Sequence, residues 1–203
     1  MTETIQNLQL GRRSFLRLGL TGAAAVAAGG TALMVPSDEA LAAELLLKTE
    51  QASAGSGPRT LSFRNLHTLE ELTVTYWRGG EYDPAALNEI NYVLRDFRTG
   101  DIHPIDRGVL NIVNLVRKRV GTNQPISIVS GYRSPKTNAA LRRSGDGVAQ
   151  RSYHLKGMAV DLRIPGISTY GIARTARGMG MGGVGFYNDS DFVHLDAGPV
   201  RTW

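Results

Sequence analysis

Apolar and polar residues alternate over residues 60–65 and again over 72–77, the pattern of strands buried on one face. Thr68-Leu69-Glu70-Glu71 between them reads as a hairpin turn, and Gly79-Gly80 ends the unit. The period then changes. Asp83-Pro84 is a helix start, with Asp as the cap and Pro in the first turn. Leu87, Ile90, Tyr92-Val93-Leu94 and Phe97 follow at helical spacing until Gly100. A second helix is expected from Asp106 to Val120, with Val109, Leu110, Ile112-Val113 and Val116 inward. Residues 125–129 form a short β-branched run expected to be a buried strand, and a small helix follows over 137–143. Residues 142–147 are polar and glycine-rich, hence a loop. Residues 158–164 read as a strand, 168–179 as a helix, and 182–187 and 192–195 as two closing strands. The expected fold is α+β: a small, mostly antiparallel sheet with helices packed on it.

The first 42 residues follow a different logic. Gly11-Arg12-Arg13-Ser14-Phe15-Leu16-Arg17 precedes an Ala/Gly-rich apolar stretch over 18–35, then Pro36 and the small-residue site Ala40-Leu41-Ala42. This is the order of an export signal, and the paired arginines point to the bacterial twin-arginine route. A membrane anchor fits less well, because a spanning helix needs ~20 strongly apolar residues. Residues 1–42 are therefore expected to be a cleaved signal peptide, with no stable membrane anchor afterwards. Residues 43–59, containing Ser53-Ala54-Gly55-Ser56-Gly57-Pro58, read as a flexible lead-in. Residues 60–203 are left as the working domain, at the cell envelope or periplasm.

Composition narrows the chemistry. The chain has no cysteine, which excludes disulfides, thiolate metal ligands and a lipoprotein anchor. Its formal charge is +5, compatible with an anionic cell-wall polymer. No aromatic-interleaved basic motif points to nucleic acid.

Of the four histidines, two stand in segments with nearby carboxylates. His154 and Asp161 lie in S-Y-H-L-K-G-M-A-V-D, and His194 lies in D-F-V-H-L-D between Asp191 and Asp196. Two imidazoles and one carboxylate make a three-ligand zinc site with a position open for water. Seven positions separate His154 from Asp161, so one regular strand would turn them to opposite faces. Gly157 lies between them and can take a φ that other residues avoid; a turn there would bring both side chains to one point. Val160 and Leu162 flank Asp161, and a carboxylate in such a run is costly unless paired or bound to a cation. His67, in the hairpin turn, and His103, before Pro104, read as structural.

The motifs S-G-Y-R-S at 130–134, S-Y-H-x-x-G-x-A-x-D at 152–161 and G-G-V-G-F-Y…F-V-H-x-D-x-G-P at 182–199 resemble the M15 family of zinc peptidases. The likeness is to its exported murein endopeptidase K-like branch, and it runs from about Arg59 to Trp203. It implies the M15 peptidase, hedgehog-like fold, with one zinc per chain in a cleft on the sheet. It also implies hydrolysis of amide bonds in peptidoglycan stem-peptide cross-links involving D-amino acids. By this likeness His154, Asp161 and His194 are the zinc ligands and Arg133 faces substrate. Asp191, three residues before the last ligand, matches the position of the general base. Asp196 stands where other members carry a histidine, so it competes for that role or orients an imidazole by its free N–H. Ser152 or Arg133 could donate to the scissile carbonyl, and Arg133 could instead clamp a substrate carboxylate. Tyr132 and Tyr153 are candidates for the cleft wall. The alternatives are a D-specific carboxypeptidase of the same family and a wall-binding module that cuts nothing.

Overall fold

The structure is a computed structural model, and it describes residues 57–145 and 148–203. The export signal expected at 1–42 and most of the lead-in expected at 43–59 lie outside the described residues. No helix among the described residues is long and apolar enough to cross a membrane.

The described residues open with the expected hairpin, β1 (Arg59–Asn65) and β2 (Glu71–Arg78), paired antiparallel. Asn65 shapes its turn: Oδ1 accepts from the backbone N–H groups of His67 and Thr68, at 2.9 and 3.1 Å. A short β3 (Glu81–Tyr82) returns along β2. Then follow α1 (Pro84–Val93), α2 (Arg107–Arg119), β4 (Ile126–Ser130), α3 (Pro135–Arg143) and a 3-10 turn (Tyr153–Lys156). The chain closes with β5 (Ala159–Arg163), α4 (Thr169–Gly178), β6 (Gly183–Tyr187), β7 (Phe192–Asp196) and β8 (Arg201–Thr202). All the described strands join one sheet in the order β3-β2-β1-β4-β5-β7-β6-β8. Only β1–β4 and β6–β8 pair in parallel, so the sheet is mostly antiparallel, as expected. The pairs β3 and β8 were not anticipated, since two residues carry no readable period.

Helix α1 packs on β2; α2 on β1, β7 and α4; and α4 on β6 and β7. The two central strands show what this does for the site. In the β5–β7 ladder, Val160 faces Leu195 and Leu162 faces Val193. All four are at most 3 % exposed and belong to the core that the helices complete. Full burial of each contributes roughly 1.5–3 kcal/mol. Strand alternation sends the intervening residues to the other face. There Asp161 sits opposite His194, and Ala159 opposite Asp196. Burial of the apolar set therefore orients the polar set.

Helix α1 stops at Val93, four residues before the Phe97 expected from its stripe. Long-range bonds end it. Asn65 Nδ2 donates to the Val93 carbonyl at 2.9 Å, and Tyr132 N donates to the Leu94 carbonyl at 2.8 Å. The released segment delivers Asp96, 1 % exposed, to the start of α3. Its carboxylate accepts from the backbone N–H of Ser134 and of Arg98, both at 2.9 Å. Burial alone would raise the Asp96 carboxyl, but these bonds and those from the Thr137 and Ser134 hydroxyls outweigh it and hold it at about 2. An unfolded aspartate titrates near ~3.9. The stabilisation, roughly 2 kcal/mol, is thus complete above pH ~4 and disappears as pH falls through about 2. Asp96→Ala is expected to cost roughly 2–3 kcal/mol near neutrality by leaving buried donors unpaired. Its deficit relative to the unsubstituted protein should shrink in acid. Urea titrations at neutral pH and in the acid range check this; a deficit independent of pH would be the contrary result.

Candidate active site

His154 and Asp161 reach one point because the chain turns between them. Ser152 caps the 3-10 turn, its Oγ accepting from His154 N at 3.3 Å. Gly157 ends the turn at φ 64°, in the left-handed region. A Cβ there would collide with the Pro104 carbonyl oxygen. The Gly157 carbonyl in turn accepts from Asp106 N, at the start of α2.

The loop after β4 locks this turn in place. The Gly131 carbonyl accepts from His154 Nδ1 at 2.7 Å, and Arg133 N donates to the His154 carbonyl at 3.1 Å. The S-G-Y-R and S-Y-H motifs thus brace one another. With Nδ1 committed, Nε2 of His154 faces inward. It lies 3.2 Å from Asp161 Oδ1 and 3.2 Å from His194 Nδ1, and His194 Nδ1 is 2.8 Å from the same Asp161 oxygen. All three residues are buried.

This is a donor set suited to a cation. Tetrahedral ligands at ~2.0–2.1 Å from a metal stand roughly 3.3 Å apart, close to the observed separations. Two nitrogens and one carboxylate oxygen match the chemistry of a borderline divalent metal. His154, Asp161 and His194 are the group among the described residues that can hold such an ion. The electrostatics agree. Burial would raise the Asp161 carboxyl, but His154 and His194, by charge and hydrogen bonds, hold it well below the usual carboxylate range. Burial would lower His194, but bonds to Asp161 and Asp196 raise it to about 9. A bound cation would take the place of the proton that this environment retains on Nδ1.

Asp196 explains which nitrogen of His194 faces the site. Its Oδ2 lies 2.9 Å from His194 Nε2, which must donate to an ionised carboxylate. Asp196 is fully buried, and Arg201 engages both its oxygens, at 2.6 Å and 3.0 Å. Gly183 N and Gly198 N also donate to it. Nothing of this carboxylate remains to meet a water molecule. Its place is behind the imidazole, as an orienting group. Arg201 was not singled out from the sequence; no local pattern connects it to His194.

Asp191 stands elsewhere. It is in the β6–β7 turn at φ 49°, with a side chain 63 % exposed. Thr169 Oγ1 donates to it at 3.0 Å and Arg163 Nη1 lies 3.7 Å away. It does not line the cleft. The structure therefore brings together His154, Asp161 and His194, backs them with Asp196, and leaves Asp191 outside.

The cleft has a volume of about 430 Å3 and is lined by the three clustered residues, Arg133, Ser152, Tyr153, Tyr187 and Trp203 among others. Arg133 is 9 % exposed; its Nη2 lies 3.5 Å from Asp161 Oδ2, and its buried Nε has no partner. Tyr132 packs against the core and stacks on His103 at 4.7 Å, so it supports rather than lines the site. His67 stacks on Phe97 at 3.7 Å and bonds the Val129 carbonyl. Both outlying histidines have the structural places expected of them.

Residues 53–203 match the family described as peptidoglycan L,D-endopeptidase MepK. The chain is 42 % identical over 146 residues to peptidoglycan L,D-endopeptidase MepK of Escherichia coli K12, covering 72 % of this chain and 80 % of that protein. It is 41 % identical over 147 residues to a probable peptidoglycan L,D-endopeptidase MepK of Haemophilus influenzae, covering 72 % and 79 %. Among solved structures, Serratia marcescens L-Ala D-Glu endopeptidase ChiX aligns with a TM-score of 0.32 at 21 % identity, over 47 % of this chain and 68 % of that one. The M15-type resemblance seen in the motifs is borne out, and the chain belongs to the peptidoglycan L,D-endopeptidase MepK family.

Proposed function

We propose that this chain is a zinc-dependent murein endopeptidase that hydrolyses stem-peptide amide bonds involving D-centres, acting at the cell envelope after twin-arginine export. The observation that carries the reading is the convergence of His154 Nε2, Asp161 Oδ1 and His194 Nδ1 at the floor of an open cleft. The relatives are named L,D-endopeptidases, which supports an amide between an L-centre and a D-centre as the bond. Among cross-links, a diaminopimelate–diaminopimelate linkage fits that description better than a D-alanyl–diaminopimelate linkage.

When bound, zinc lowers the pKa of its water to around 7, polarises a carbonyl, and so supplies hydroxide near neutrality. The chain's own residues prepare the place. Gly131 O and Asp196 fix the two imidazoles in the orientation that presents Nε2 of one and Nδ1 of the other. Arg133, at the cleft wall, presents positive charge to an anionic stem peptide. Ser152 and Tyr153 complete that wall. We assign Asp196 to orientation rather than proton transfer, because it has no exposed oxygen.

The same geometry makes a sharp expectation for Asp191. A general base contributes ~10²–10⁴-fold; a turn carboxylate bonded to Thr169 and Arg163 contributes little. Asp191→Asn is expected to keep kcat/KM within a few-fold, and a loss of two orders of magnitude would restore it as the base.

The function itself is tested by incubating zinc-loaded protein with purified sacculi and with defined cross-linked muropeptides, then identifying products by mass. New amine and carboxylate ends at an L,D cross-link are the expected result. Release of a single terminal D-residue would indicate a carboxypeptidase, and binding without products a wall-binding module.

A further inference from the structure

One wall of the cleft carries a phenol whose hydrogen bond is half used. Tyr187 ends β6, opposite Phe192 in the β6–β7 ladder. The two rings stack at 4.5 Å and 17°, which fixes the plane of the phenol. Trp203 fixes its oxygen: the indole Nε1 lies 2.9 Å from Tyr187 Oη. An indole N–H can only donate. It therefore occupies a lone pair of the phenol and leaves the phenol's own O–H to point elsewhere. No acceptor for that hydrogen exists among the described residues, and Tyr187 lines the cleft with His154, Asp161 and His194.

The backbone that carries the indole is anchored on β6. Trp203 N donates to the Val184 carbonyl, and its own carbonyl accepts from Phe186 N and from Arg177 Nη2. Its ring lies over Gly185, where a Cβ would meet ring atoms at 2.7 Å. The same ring stands 5.3 Å, centroid to centroid, from the imidazole of His194. A glycine at 185 thus lets the indole sit beside a clustered histidine and aim the phenol.

We propose that Tyr187 is a catalytic hydrogen-bond donor to the oxyanion formed during amide hydrolysis, aimed by Trp203. The inference rests on the hydrolase reading above. Hydroxide oxygen bonds to the carbonyl carbon, and the carbonyl π pair moves onto its oxygen. The phenol O–H donates to that oxygen without giving up its proton. Collapse re-forms the carbonyl and breaks the C–N bond, and the leaving nitrogen takes the proton of the added hydroxyl, giving an amine and a carboxylate. With the phenol oxygen held by Trp203 before substrate arrives, only its O–H has to turn as charge develops. Arg133 and Ser152 are differently committed. Arg133 is directed at Asp161 Oδ2, and the Ser152 oxygen caps the His154 turn.

The test uses the full chain loaded with zinc. Tyr187→Phe removes one oxygen and keeps the stacked ring. Losing a single such donor costs roughly 10²–10³-fold in kcat. The expected result is a loss of that order, with KM within about three-fold and zinc content unchanged. A second readout does not need turnover: the affinity of a phosphinate analogue of the scissile amide, a tetrahedral mimic, should fall by a similar factor. Trp203→Phe, which keeps the phenol but not its guide, should lose less than Tyr187→Phe by both measures. Unchanged kcat and phosphinate affinity, a rise in KM alone, or loss of zinc from Tyr187→Phe would each overturn the proposal. If the unsubstituted, zinc-loaded chain cleaves no muropeptide, the hydrolase reading falls, and this inference with it. If it cleaves and Tyr187→Phe cleaves equally well, only the role of Tyr187 falls.

Discussion

Asp161→Ala is expected to lose bound metal and wall hydrolysis together. Asp161 is the hinge of the cluster, since Oδ1 lies within 3.2 Å of both imidazole nitrogens. Without it, two imidazoles remain against a cation that needs three protein ligands to hold an open position. Without the metal there is no water activated near neutrality, so hydrolysis should fall by at least ~10³-fold. The fold should persist. Asp161 points away from the Val160, Leu162, Val193 and Leu195 face, and its removal relieves the burial of a charge. Metal analysis of the dialysed protein, dye release from labelled sacculi, and a thermal melt make the measurement. A variant with stoichiometric zinc, or one that still releases dye, would contradict the site as described. Asp161→Asn is the companion: it preserves shape, cannot ionise, and is expected to behave as the alanine variant does.

Gly157→Val is expected to damage both the fold and the site, through backbone rather than chemistry. A non-glycine residue in the left-handed region costs ~1–2 kcal/mol, and overpacking adds about 1–3 kcal/mol. Here the added Cβ meets the Pro104 carbonyl and stands 3.1 Å from His103 Cδ2. Neither neighbour is free to yield. The Pro104 segment leads into α2, whose cap Asp106 is bonded to the Gly157 carbonyl. His103 is stacked on Tyr132. The combined loss corresponds to a fall in Tm on the order of 10 °C. Because the turn also carries His154, zinc affinity should weaken in the fraction that remains folded. Calorimetric melts with and without zinc read both effects. A variant with unaltered Tm and zinc affinity would show that the turn can form without its left-handed residue.

The elements that were legible in the sequence are those whose partners are uniform. Residues 60–65 and 72–77 alternate because one side of the hairpin faces the core along its whole length. The stripe of α2 was legible for the same reason: Val109, Leu110, Ile112, Val113 and Val116 all face one interior. The end of α1 was not. Leu94 and Phe97 continue its apolar spacing, yet Asn65 and Tyr132, distant in sequence, capture the terminal carbonyls. A helix end chosen by distant donors leaves no mark in its own segment.

The same distinction runs through the site. His154, Asp161 and His194 could be nominated from residue type, because few side chains bind a metal and costly polar residues stood out in apolar runs. Gly131 could not, since it acts through a backbone carbonyl that every residue possesses. Arg201 and Trp203 could not, since β8 has no period to read, and pairing with β6 places Arg201 and, beyond the strand, Trp203. Asp191 and Asp196 show the limit most clearly. Both are aspartates within three residues of His194, and composition treats them alike. Strand alternation puts Asp196 on the face of His194 and seals it there with Arg201. The turn at Asp191 takes its carboxylate to Thr169 and Arg163.

Local chemistry was enough to identify which atoms can hold a cation and which strand faces are apolar, because both are properties of a residue and its immediate neighbours. Convergence of those atoms, and the separation of the carboxylate that meets His194 from the one turned to Thr169, required the β5–β7 register and the left-handed turn at Gly157. Distances between residues 7, 33 and 40 positions apart depend on which strands pair and in what register, and that is settled by burying the opposite, apolar face of the sheet.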